Sequence, residues 1–120
     1  MDIVADAARA LKELSDEGIP VIQGWYDDSL NRLHITLWNL GEYDGGHSDD
    51  APEIECASVQ VNIWSHEDQI ELKKRVKCLM LKAGFYFMEA NDQLETDTKI
   101  YTNGMRFLAA REVDDDETEE

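Results

Sequence analysis

Apolar residues at Ile3, Val4, Ala7, Ala8, Leu11 and Leu14 recur three and four apart, a spacing that predicts an amphipathic helix over residues 2–17. Asp2 and Asp6 suit the positive end of its dipole. Gly18 and Pro20 stop it, the first by accepting a left-handed conformation and the second by lacking an N–H. The period then changes to two. Residues 21–26 and 33–38 alternate on either side of Asp27-Asp28-Ser29-Leu30-Asn31, a turn-rich link that predicts a β-hairpin. Leu33, Ile35 and Leu37 take one face of its second arm, and His34, Thr36 and Trp38 the other. Residues 41–52, GEYDGGHSDDAP, hold three Gly, a Pro and four acids without an apolar period, and are expected to form a long exposed loop.

Residues 53–64 alternate again, with Val59, Val61 and Ile63 opposite Gln60, Asn62 and Trp64. Ile54 and Cys56 break phase, which indicates either a bulge near Ala57 and Ser58 or a strand covered on both faces. A second helix follows. Ser65-His66-Glu67-Asp68 resembles a capping box, Leu72, Val76, Leu79, Met80 and Ala83 form its apolar stripe, and Gly84 ends it. Phe85 and Phe87, then Ile100 and Thr102, start two further strands. Met105, Phe107 and Ala109 extend the last across Asn103-Gly104, where a phase slip suggests a glycine bulge. The order is α-β-β-β-α-β-β: an α+β fold, a mostly antiparallel sheet with two helices on one face. Residues 1–113 form one domain, and 114–120 a disordered acidic tail.

Charge narrows the partners. The 120 residues hold 11 Lys and Arg against 27 Asp and Glu, a formal charge of −16. A nucleic-acid surface needs bases to neutralise phosphates, and anionic lipid repels such a chain. The acidic run 114–120 has six acids and no base, yet the remainder still counts 21 acids against 11 bases. Five of those bases, Lys73, Lys74, Arg75, Lys77 and Lys82, sit on the second helix. They form either a solvated face with local salt bridges or a contact surface for an acidic neighbour, which can be another copy of the chain.

Catalytic signals are weak. His34, His47 and His66 stand beside no nucleophile motif, and Gly45-Gly46 is followed by neither a Lys nor a helix start. Asp44, His47, Asp49 and Asp50 are hard-ligand types in a loop without the EF-hand order. Cys56 and Cys78 lack metal or redox spacing and are expected as free core thiols in a reducing compartment. No basic leader with an apolar run and no stretch of membrane-spanning length occurs. Catalytic, metal and cofactor residues are therefore expected to be absent. Trp38 and Trp64, on a face otherwise polar, point to a protein interface.

The second half carries a resemblance. The run VQVNIWS at 59–65, the basic helix ending MLKAGF at 80–85, the acidic linker ending ETDTKIY at 95–101, and the strand with Met105-Arg106-Phe107 resemble the small tail-completion proteins of long-tailed bacteriophages and prophages, a family that includes tail terminators and head–tail joining proteins. The likeness covers residues 53–110. It implies a non-enzymatic virion subunit, made in the host cytoplasm, whose ring, commonly a hexamer, caps the tail tube and meets the head connector or neck protein. It implies no cofactor, and DNA passing the lumen without specific binding. Trp64, Lys73, Lys74, Lys77, Arg106, Tyr43 and His47 are the expected interface residues, with loop 41–52 ordering on assembly. Tail terminator and adjacent neck ring are not separated by these motifs. Two other classes compete: an acidic DNA mimic that inhibits a nucleic-acid enzyme, against which the basic helix argues, and a metal enzyme built on the 44–50 cluster.

Overall fold

The computed structural model describes residues 2–24, 32–48 and 51–112, and the side chains of these apart from 45–48 and 51–53. The link 27–31, Trp25, Asp49, Asp50 and the acidic tail lie outside the described residues. One five-stranded sheet, in the order β1-β2-β3-β5-β4, carries three helices. The strands are β1 (Val21–Gln23), β2 (His34–Ser48), β3 (Ala51–Ser65), β4 (Tyr86–Glu95) and β5 (Ile100–Glu112). The helices are α1 (Ile3–Ala10), α2 (Lys12–Asp16) and α3 (Ile70–Lys82). Three of the four pairings are antiparallel, so the fold is α+β and mostly antiparallel as the periodicity predicts.

The first helix is split at Leu11, whose backbone (φ −99°, ψ 13°) leaves helical geometry for one residue while its side chain stays fully buried. Asp2 caps it by accepting the Ala5 N–H at 3.0 Å. Both C-termini close on glycine as expected. Gly18 (φ +95°) and Gly84 (φ +98°) let the next N–H reach back, from Ile19 to the Leu14 carbonyl and from Phe85 to the Met80 carbonyl, each at 3.1 Å. The start of α3 differs from expectation. Ser65 spends its hydroxyl on the backbone of Glu67, and the helix begins five residues later, behind Gln69, which makes no side-chain cap.

Ile3, Val4, Ala7, Leu11 and Leu14 from the first two helices meet Leu72, Val76 and Met80 from α3 over Ile35, Leu37, Val59, Val61, Ile63, Met105 and Phe107 of the sheet. The helical stripes and strand faces read from the sequence are therefore the core.

Three strand assignments need correction. β1 and β2 are not a hairpin: they run parallel, Val21 opposite Ile35 and Gln23 opposite Leu37. The chain leaves the sheet at Gly24 (φ +127°), whose N–H bonds the Leu37 carbonyl at 3.0 Å. Alternation has no direction, so the pattern alone could not separate the two arrangements. Within 41–52 the described residues are not a loop: β2 and β3 continue as an antiparallel arm out to Ser48 opposite Ala51. The phase breaks also have another origin. β5 pairs with β3 without a shift from Tyr101 to Glu112, so no bulge exists at Gly104, and Ile100 and Thr102 simply face away from the helices. Ile54 and Cys56 share that second face. The bulges lie instead at Leu40 in β2 and at Met88 in β4.

The Leu40 bulge matters for the arm. Before it, Trp38 pairs with Gln60 on the face away from the helices; after it, Gly41 pairs with Ser58 and Tyr43 with Cys56. Leaving Leu40 unpaired thus keeps Trp38 and Tyr43 on one face despite their odd separation from the preceding pattern. The arm lengthens the molecule to 53 Å against 28 and 24 Å in the other directions.

Candidate interaction surfaces

The sheet face away from the helices is built from paired side chains. His34 is opposite Trp64, Thr36 opposite Asn62 and Trp38 opposite Gln60. The Trp64 indole N–H donates to Thr36 Oγ1 at 2.8 Å, and the His34 ring stacks on Trp64 with centroids 6.4 Å apart. His34 Nδ1 lies 2.7 Å from the Arg32 carbonyl, and His34 and Thr36 are buried. Gln60 Nε2 donates to Asn62 Oδ1 at 2.9 Å. Both of these atoms would lie 2.9 Å from a Cβ at residue 104, and the Asn91 carbonyl 3.2 Å from it, so Gly104 is required by close approach rather than by a bulge.

Beside this network lies a depression of about 720 Å³, lined among others by Trp38, Leu40, Trp64, Leu94, Ile100 and Gly104. Trp38, Leu40 and Leu94 are 45%, 41% and 48% exposed. Farther along the same face, Tyr43 is exposed on the arm, and Arg106 lies across from Gln60 with its guanidinium 3.2 Å from Glu89 Oε1.

A second surface is the outer side of α3. Lys73 reaches back to Asp92 Oδ2 at 2.7 Å, and Arg75 bonds Glu13 Oε2 at 2.8 Å and Glu17 Oε2 at 2.5 Å. Hydrogen bonding to Arg75 holds the Glu17 carboxyl below its ordinary range and raises the guanidinium. These two bases therefore fasten α3 to β4 and to α2. Lys77 Nζ sits 4.0 Å from the centre of the Phe87 ring, and Lys74 is 3.7 Å from Glu71. Lys74, Lys77, Cys78, Leu81 and Lys82 line a shallow depression of about 470 Å³ facing outward.

Asn103 links the two halves of the fold. It is fully buried; its Nδ2 donates to Asp92 Oδ1 at 3.0 Å and Asp68 Oδ1 at 3.2 Å, and its Oδ1 accepts the Gln69 N–H at 3.4 Å. The Asn103 bond, followed by Lys73, lowers the Asp92 carboxyl below its ordinary value. Sequence reading placed Asn103 beside a glycine bulge in one long strand and gave it no partner. A buried Asn inside an apolar alternation was the available signal.

The expected interface residues are not brought together. Trp64, Arg106 and Tyr43 share the open sheet face, Lys73, Lys74 and Lys77 ride on α3 across the sheet, and His47 is a backbone position in β2 opposite Pro52. Cys56 is buried as expected, but Cys78 is exposed on α3, because it falls outside the Leu72, Val76, Met80 stripe. Both thiols are free. Of the 44–50 cluster, Asp44 and His47 lie on the arm. Among the described residues no three acidic, His or Cys side chains form a metal-binding group, and no helix is long and apolar enough to cross a membrane. Comparison with protein-family models and with curated proteins finds no match.

Proposed function

We propose that this chain is a non-enzymatic structural subunit of a bacteriophage tail, which assembles as a ring that closes the tail tube and joins it to the head connector. The observation that carries this reading is the sheet itself. It keeps two open edges among the described residues: β4 along its whole length, and β2 beyond Leu37, where β1 has ended. Between them lies a face with exposed Trp38, Leu40 and Tyr43. Exposed edges and apolar residues of this kind are normally blunted or covered in a monomer, so their presence favours a protein whose working state is an assembly.

Opposite positions of the two surfaces favour head-to-tail contacts. The α3 depression and the Trp38 face lie on opposite sides of one sheet, and a contact joining unlike surfaces closes a ring when its rotation permits. The charge of −16 supports a lumen that lets DNA slide. The test is mass by light scattering over protein concentration and salt, alone and with assembled tail tubes. A discrete ring, free or on the tube end, is the expected result. A monomer that ignores tail tubes at every concentration would overturn the reading, and a tight complex with a host nuclease or polymerase would replace it with the DNA-mimic alternative.

A further inference from the structure

We propose that the depression on the open sheet face binds a neutral oligosaccharide, which lies on the Trp38 and Trp64 indoles and is hydrogen-bonded by the amides between them. The strand register builds the floor. Asn62, Gly104 and Asn91 form one row across β3, β5 and β4, and Trp64, Thr102 and Gln93 the next. Gly104 puts no side chain into the middle of these rows, and the amides of Gln60 and Asn62 close over it. Trp38 and Trp64 are opposite Gln60 and His34, four positions or about 14 Å apart along the strands. A ligand that touches both indoles is therefore longer than a single sugar ring. The volume of about 720 Å³ is ordinary for a ligand site, and Trp64 is already fixed by its bond to Thr36 and its stack on His34.

The lining selects the chemistry of the ligand. Its polar groups are the amides of Gln60, Asn62, Asn91 and Gln93 and the hydroxyls of Thr98 and Thr102, and Glu95 is the one charged residue among them. Among the described residues no Lys, Arg or His borders the depression, and Arg106 in the adjoining row is held by Glu89. Phosphate, sulfate and carboxylate ligands depend on such bases, so anions do not fit. An amide offers a donor and an acceptor on one planar head, which matches adjacent hydroxyls of a sugar. An indole face, negative at its centre, takes the polarised C–H groups on the other side of the sugar ring.

Most of this hydrogen-bonding capacity is unspent. Among the described residues, these four amides and two hydroxyls make one side-chain bond, from Gln60 to Asn62 Oδ1. Asn62 is only 6% exposed, yet its Nδ2 donates to no described group. No fully buried nitrogen or oxygen of the described side chains lacks a partner, so this Nδ2 opens into the depression that Asn62 lines. A nearly buried amide with an idle donor suits a site whose bonds are completed by a ligand. Sugar binding goes beyond the assembly role and does not rest on it, although a neighbouring copy seated on this face would compete for Trp38.

The experiment is an NMR titration of the isotope-labelled full chain with maltohexaose, cellohexaose, mannohexaose and chitohexaose, and with hexagalacturonate as the charged control. At least one neutral hexasaccharide should shift the indole N–H signals of Trp38 and Trp64 and the side-chain amide of Asn62 saturably, while hexagalacturonate leaves them in place. The affinity should be the same at about 0.05 and about 0.5 M salt, because no charge pair forms. Trp38→Ala and Gln93→Ala, both at exposed positions, should each weaken binding about tenfold or more, with melting temperatures within a few degrees of the parent. No saturable shift from any of the four sugars at about 10 mM would overturn the proposal, since affinity that weak carries no recognition. So would shifts that map to another surface, or undiminished binding by both variants. If the sugars fail and the same signals instead move on dilution of the protein, the depression belongs to another copy. Mass by light scattering on the same samples reports the assembly role, which a failure to bind sugar leaves standing.

Discussion

Asn103 and Gly104 sit side by side in β5 and impose opposite demands. Gly104 must present no side chain, because Gln60, Asn62 and the Asn91 carbonyl close over it. Gly104→Ala should lower stability by about 1 kcal/mol, the small end of overpacking costs because two of its neighbours are movable side-chain termini; chemical denaturation with an unchanged m-value checks it. Asn103 must present an amide, since α3 and β4 both hang on it. Asn103→Ala should cost about 1–3 kcal/mol through the hydrogen bonds it loses to the Asp68 and Asp92 carboxylates and the Gln69 N–H. It should also move Asp92. That carboxyl is held below its ordinary value of 3.8, so it contributes stability that is complete above 3.8 and lost as pH falls through the lower folded value. Without Asn103 the loss should set in at higher pH, an upward shift of the Asp92 titration visible by carboxyl NMR. The alternation around Asn103 marks a buried amide but not what it holds, because a partner 35 residues away, such as Asp68, leaves no local mark.

Elements with an apolar face were legible, and those without one were not. The stripes of the first helices and of α3 are the core stripes, because burial against the sheet is what imposes the spacing. The arm at 41–52 has no such imprint. Its residues extend past the helices, so nothing selects an apolar alternation there, and glycines with acids read as a loop. β1 is too short for its pattern to declare a direction. Protection should follow the pairing: amides of β3, bonded on both sides from Ile54 to Trp64, should exchange most slowly, and those on the outer edge of β4 fastest among the strands. Hydrogen exchange read by NMR checks that order, and comparable protection of the β4 edge would mean that it is covered in solution.

At the scale of the whole molecule, the basic helix proved to be two things at once. Lys73 and Arg75 hold the fold together and Lys77 covers the Phe87 ring, whereas Lys74 and Lys82 face outward. Reversing Lys73 would therefore disturb the α3–β4 seam as well as any contact between copies. Lys74→Glu with Lys82→Glu is the cleaner pair: it should abolish ring formation in light scattering while the melting temperature stays within a few degrees, as surface changes usually allow. Assembly at normal efficiency by that variant would refute an electrostatic role for the helix. The division among the lysines depends on acids at Glu13, Glu17 and Asp92, contributed by other elements, which is why a single sequence showed a basic helix but not which of its charges were spoken for.

The bulge at Leu40 shapes how this chain can diverge. Leu40 has no partner in β3, where Asn39 faces Val59 and Gly41 faces Ser58, so losing that one residue would leave Tyr43 opposite Cys56 and on the face of Trp38. The bulge can thus absorb one deletion with the arm's two faces unchanged, and removing facing pairs at the tip would only shorten it, whereas a second unmatched deletion in β2 would turn the arm inside out. Among descendants of this sequence, arm length should drift in matched steps on the two strands, while the stretch between Trp38 and Tyr43 either keeps its length or loses the single bulged residue.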